Sequence, residues 1–171
     1  SSSVDEIVIR NSNISLDSTD PYNSYFIGCG TNGSFGSIDI QNSTIDIPWT
    51  TSSAAIGSAM GGSFTGESLI RIVDSQVTAA SLRGSPAIGA GVSSYGKGKL
   101  KICIENSDVT AKGGSLKTDS YYIPGIGRHG SDSKPEVYIQ ILNSTVESFR
   151  HTKTGVEDDS DLVYDDLHEK N

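Results

Sequence analysis

The chain has 171 residues, of which 35% are hydrophobic and only 7% aromatic, with 19 glycines and a net charge of −8. That length suits one domain with a buried core, and the glycine- and serine-rich mix suits short strands joined by many turns. Residues 157–171 hold seven acids and one lysine, a net −6, which leaves only −2 on residues 1–156. A nearly neutral body without a basic stripe argues against nucleic acid as a partner, because phosphate neutralisation needs clustered Lys or Arg.

Taken in chain order, five apolar runs repeat one pattern. The first is Ile7-Val8-Ile9-Arg10-Asn11-Ser12-Asn13-Ile14, and the second is Ile38-Asp39-Ile40-Gln41-Asn42-Ser43-Thr44-Ile45. The third is Ile70-Arg71-Ile72-Val73-Asp74-Ser75-Gln76-Val77, and the fourth is Ile102-Cys103-Ile104-Glu105-Asn106-Ser107-Asp108-Val109. The fifth is Ile139-Gln140-Ile141-Leu142-Asn143-Ser144-Thr145-Val146, and successive starts lie 31, 32, 32 and 37 residues apart. Between the runs stand Ile27-Gly28, Ile56-Gly57, Ile88-Gly89 and Ile126-Gly127, three of them followed seven or eight residues after the Ile by Phe35, Phe64 and Tyr95.

Alternation with period two puts the Ile residues on one strand face. Asn and Asp tolerate the left-handed conformation that bends a chain sharply, and Ser can bond the backbone of such a turn. Stacking one copy on the next would place Ile on Ile, Asn on Asn and Ser on Ser at about 4.8 Å per layer. No layer could bury its Ile row alone. Ile40, Ile72 and Ile104 are therefore expected in one buried column, and Phe35, Phe64 and Tyr95 as an internal stack filling a corner. A conventional antiparallel sandwich also has many strands but does not need five near-copies in register. β-branched cores and Gly/Ser linkers exclude an α-helical repeat in practice.

At Val77-Thr78-Ala79, Val109-Thr110-Ala111 and the Ile-Gly elements, the chain resembles the β-helical repeats of bacterial and protist surface proteins, with their "I-x-I-x-N/G-S/G-x-V-T-A … G-A-G-I-G-G-G" consensus. The resemblance covers about residues 7–149 and departs in repeats one, four and five, where loops are longer or glycines replaced. It implies an all-β, right-handed parallel β-helix, a single-stranded β-solenoid of about five coils, in an extracellular setting, often in adhesins or carbohydrate-associated proteins. It does not imply an enzyme. On this reading residues 1–149 are the repeats, and 150–171 an acidic tail serving as linker or cap.

The outward strand positions form mixed rows, Val8-Asp39-Arg71-Cys103-Gln140 and Arg10-Gln41-Val73-Glu105-Leu142, with one expected cross-layer pair, Asp39 with Arg71. An ordinary solvated face accounts for them, and no Thr row of the ice-binding kind exists. Tyr22, Tyr25, Trp49, Tyr121 and Tyr122 sit in loops after the first strands. They are the candidate ligand-binding residues, because sugar rings stack on aromatic faces and function concentrates in loops; the bland alternative is that they cover an edge of the core. Arg128-His129-Gly130 carries the tripeptide that opens the histidine phosphatase motif, but the α/β context that family needs is absent from the pattern. His151 and His168 have no partners at metal-ligand spacing, and Cys29 and Cys103 form neither a disulfide framework nor a zinc motif.

A glycosidase needs two carboxyls facing one bond, and although Asp17 and Asp20 share a loop and Asp39 and Asp46 a repeat, no acid cluster with a basic partner recurs across layers. Asn13, Asn32, Asn42 and Asn143 head N-x-S/T sequons, two of which arise from the Asn-Ser turn itself. The tail lacks EF-hand spacing. No apolar run approaches the roughly 18 residues of a membrane helix. Ser1-Ser2-Ser3 reads as a cut end, so the lack of a signal peptide says little. The expectation is a secreted or cell-surface, non-catalytic module binding a glycan or a cell surface, without metal or cofactor and with neighbouring domains of a longer chain as further partners. A rigid structural spacer is the alternative, and a polysaccharide-active enzyme fragment comes third.

Overall fold

The computed structural model describes residues 3–16, 26–48, 50, 53–81, 84–114, 123–128, 135–151 and 157–158. All regular structure among them is β. Each repeat contributes one strand to each of up to three sheets, and the strands stack in parallel on their counterparts one repeat away.

The first sheet contains β1 (Val4–Arg10), β4 (Phe35–Gln41), β7 (Glu67–Val73), β10 (Lys99–Glu105) and β13 (Glu136–Leu142), in that spatial order. The second contains β2 (Asn13–Ser15), β5 (Thr44–Ile47), β8 (Gln76–Ala80), β11 (Asp108–Gly113) and β14 (Thr145–His151). The third is built from the three-residue Ile-Gly strands β3 (Ile27–Cys29), β6 (Ile56–Ser58), β9 (Ile88–Ala90) and β12 (Ile126–Arg128). One pairing is antiparallel. The short β15 (Glu157–Asp158) runs back along β14, opposite Arg150 and His151, so the start of the acidic segment lies against the last strand of the second sheet.

The register is the one the repeat dictates: Ile7, Ile38, Ile70, Ile102 and Ile139 are successive neighbours. Ile40, Ile72 and Ile104 form one column, with at most 1% of each accessible. Ile45, Val77 and Val109 do the same in the second sheet, and Ile56, Ile88 and Ile126 in the third. The end layers show why stacking matters. Ile7, Ile9 and Ile14 at one end, and Ile139, Ile141 and Val146 at the other, are only half-buried. Among the described residues each has a neighbouring layer on one side only, and an apolar row needs both.

The third sheet can be as thin as it is because its central residue has no side chain. Gly57 and Gly89 adopt φ of +139° and +137°, and a Cβ on either would overlap the carbonyl of the glycine in the next layer. Only glycine fits both requirements.

The corner aromatics differ from expectation. Phe35 and Phe64 are buried and meet edge to face, with ring centroids 5.8 Å apart. Tyr95 is 44% exposed instead. It follows its Ile by seven residues, not eight, and its parallel bridge aligns it with Ser63, so Gly96 falls beside Phe64. A one-residue offset in a β register carries the side chain to the other face.

Asn11, Asn42, Asp74, Asn106 and Asn143, the corner residues of all five repeats, hold φ between 45° and 51°. Replacing Asn106 with Leu is expected to lower stability by about 1–3 kcal/mol through backbone strain. Replacement with Gly, which enters this conformation freely, is expected to cost clearly less; equal losses in urea melts would show that φ is not what constrains the position. Cys29 is buried in the first repeat and Cys103 half-exposed in the fourth, both as free thiols, and burial raises the pKa of each, Lys101 and Arg71 partly opposing it at Cys103. Two thiols are expected to titrate after denaturation without reductant, with only Cys103 reacting slowly beforehand. An intramolecular bridge seen by mass spectrometry would contradict the stacking order, because three layers at about 4.8 Å exceed disulfide reach.

Candidate functional site

The site starts from the two-residue corner between the first and second sheets. Asn or Asp takes the left-handed conformation, and the Ser that follows turns its hydroxyl inward. That hydroxyl donates to the carbonyl two residues earlier: Ser43 to Gln41, Ser75 to Val73, Ser107 to Glu105 and Ser144 to Leu142, each at 2.7 Å. The same oxygen accepts the backbone N–H of the serine one repeat earlier. Ser12 donates to Ser43 at 3.2 Å, and Ser43 to Ser75, Ser75 to Ser107 and Ser107 to Ser144 follow at 3.1 Å. The five serines thus form one hydrogen-bonded row along the stack.

Ser12, Ser43, Ser75 and Ser107 of this row form the floor of an open groove of about 870 Å³. One wall is the row of left-handed residues, Asn11, Asn42, Asp74, Asn106 and Asn143. The other is the row of residues that open the second-sheet strands, Asn13, Thr44, Gln76, Asp108 and Thr145. Both walls are exposed, because the chain turns through the buried serine between them. On the first wall the Asn42 amide donates to Asn11 Oδ1 at 2.7 Å. Every described lining residue is Asn, Ser, Thr, Gln or Asp.

Chemically, the groove offers hydrogen-bond donors and acceptors once per layer, at a repeat of about 4.8 Å. That is close to the length of one sugar unit in an extended polysaccharide. A single exposed hydrogen bond contributes only about 0.5–1.5 kcal/mol, so useful affinity in such a trough has to come from many rungs engaged together. The Asn-Ser pairs were legible in the sequence as turns, but the groove between their flanks was not. The signal that would have found it is the residue after Ser, which is polar in all five repeats.

The aromatic candidates Tyr22, Tyr25, Trp49, Tyr121 and Tyr122 lie outside the described residues, as do Asp17, Asp20, His129 and His168. Among the described residues no three His, Cys, Asp or Glu side chains gather as a metal-ligand set.

On the outer face of the first sheet the expected Asp39–Arg71 pair is present at 3.2 Å, and Arg10 reaches the same carboxylate from the layer before at 3.2 Å. Gln41 adds a bond at 2.7 Å. Val73, in the outward row between Gln41 and Glu105, is only 8% exposed, unlike Val8 and Leu142 at the two ends. Burial alone would raise the Asp39 pKa, but the bonds from Gln41, Arg10 and Arg71 together with the Arg71 charge outweigh it and hold the carboxyl below its ordinary value. A depressed folded-state pKa gives stability that is present above the unfolded pKa and lost as pH falls through the folded one. Asp39→Asn is therefore expected to cost about 1 kcal/mol or less at neutral pH. The deficit should shrink as pH falls below about 4, which thermal melts across pH 2–7 would read; a constant deficit would mean that ionisation of Asp39 does not matter.

No family model, no curated protein and no solved structure matches this chain.

Proposed function

We propose that the chain is a right-handed parallel β-solenoid serving as a secreted or cell-surface, non-catalytic module, and that it binds a linear glycan laid along the serine-floored groove. The right hand follows from the near-universal handedness of parallel crossovers. The observation that carries the reading is the groove itself: a trough lined by polar residues with a rung in every layer, suited to a hydroxyl-rich polymer with a matching repeat. The resemblance to β-helical surface repeats supports the extracellular setting. The non-catalytic reading rests on the lining. Glycosidic cleavage needs a carboxyl kept protonated by an apolar surround opposite a second carboxyl, whereas Asp74 and Asp108 are both exposed in a polar trough. A rigid spacer is the second reading, favoured by the unbroken serine row, which ties each layer to the next.

The test is a glycan array followed by titration of the best binder. Thr44 and Gln76 stand on a wall outside the serine row, so Thr44→Ala with Gln76→Ala is expected to leave the melting temperature nearly unchanged. Loss of two hydrogen bonds predicts affinity weaker by about tenfold. Trp49→Ala, in parallel, reports on the loop aromatics: tenfold loss there with none in the groove variant would move the site to the loops. No glycan bound by the folded protein would favour the spacer, and release of reducing ends would favour the enzyme.

A further inference from the structure

We infer that Asp74 and Asp108 make this groove selective for sugars carrying a free, protonated amine, over their acetylated counterparts and against uronic acid polymers. The inference rests on the glycan-binding reading and names its ligand class.

The two carboxylates are the only charged side chains lining the groove among the described residues. They belong to adjacent layers and opposite walls. Asp74 opens the corner of the third repeat beside Asn106 of the fourth, donating its backbone N–H to Glu105 O at 3.1 Å. Asp108 opens β11 and pairs in register with Gln76. The four side chains therefore mark the corners of one quadrilateral across the trough, with carboxylates on one diagonal and amides on the other. A cationic group lying in the trough between layers three and four would face a carboxylate on either side. A sugar carboxylate there would face two charges of its own sign, with amides to bond but, among the described lining residues, no cation to neutralise it.

Four of the described basic residues are engaged elsewhere. Arg10 and Arg71 both bind Asp39 on the outer face of the first sheet. Lys101 reaches Glu67 at 3.4 Å, and Lys112 lies 5.7 Å over the Phe149 ring. The other rungs are neutral and would bind ordinary hydroxyls of the same polymer, so the charge acts at one point of a longer contact. Because the carboxylates are exposed, the preference should weaken with salt as the screening length falls.

The experiment compares three probes at mildly acidic pH, where the sugar amine is protonated: a chitosan oligosaccharide, its fully acetylated chitin counterpart and an oligogalacturonate. Titrations are run with the intact chain at low and at moderate salt. The chitosan oligomer is expected to bind about three- to tenfold more tightly than the chitin oligomer, with the galacturonate weakest and the preference shrinking as salt is added. Asp74→Asn with Asp108→Asn should bring chitosan and chitin to equal affinity. This variant uses residues the repeat already carries at those positions, Asn106 at the corner and Asn13 on the wall, so the fold is expected to persist, as melting would verify. Equal binding of chitosan and chitin by the native chain, or a preference that survives the double variant, overturns the inference. In that case the groove reading stands if chitin binding is still lost in the Thr44→Ala, Gln76→Ala variant. Tighter binding of a lysine-rich peptide than of chitosan would also overturn it, by moving the ligand out of the sugar class. Binding of none of the three sugars at any salt overturns the inference together with the groove reading.

Discussion

The structure depends on a serine hydroxyl that bonds in two directions at once. At each corner it closes its own turn by donating to a carbonyl two residues back, and it accepts an N–H from the layer before. The first bond is local and fixes the bend. The second crosses between layers and fixes the register. A buried, unpartnered donor or acceptor costs about 1–3 kcal/mol, so a layer shifted out of register would keep its local bond but leave the N–H of the serine one repeat earlier without its acceptor. The apolar columns supply the larger driving force, but burial is non-directional and would accept neighbouring alignments. The serine row does not.

The left-handed Asn or Asp before each serine is the complementary requirement. Such φ values are uncommon outside Gly, Asn and Asp, and glycine here would add flexibility in the unfolded chain. Asn and Asp keep the conformation accessible and put a polar side chain on the outside of the bend. The device that bends the backbone therefore also builds a groove wall. Structure and proposed binding share one set of residues, which explains why the wall varies only between Asn and Asp while the opposite wall, free of the backbone constraint, runs through Asn, Thr, Gln and Asp.

The outer face of the first sheet answers a different pressure. Its rows are irregular, and its best interaction is one Asp39 carboxylate shared by two arginines and a glutamine across three layers. Exposed pairs of this kind contribute little. Nothing there repeats from layer to layer, whereas every feature of the groove floor does. On a stacked architecture, a ligand lying along several layers draws most of its contacts from what recurs.

The sequence by itself determined the five repeats, their register and the residues at each bend. Those follow from period-two burial and from the few side chains that accept a left-handed corner, and both are local properties written in every copy. It also determined the Asp39–Arg71 pair, since equal positions in adjacent layers become neighbours once the register is known. It did not determine the side on which Tyr95 emerges, because a spacing of seven against eight residues matters only after the bridge to Ser63 is formed. Nor did it show that the flanks of the Asn-Ser bends line one trough, or that Asp74 and Asp108 stand on its opposite walls. That depends on how two sheets join at the corner and on how adjacent layers superpose. A groove is a relation between walls, and its walls are brought together only by the stacking of the whole chain.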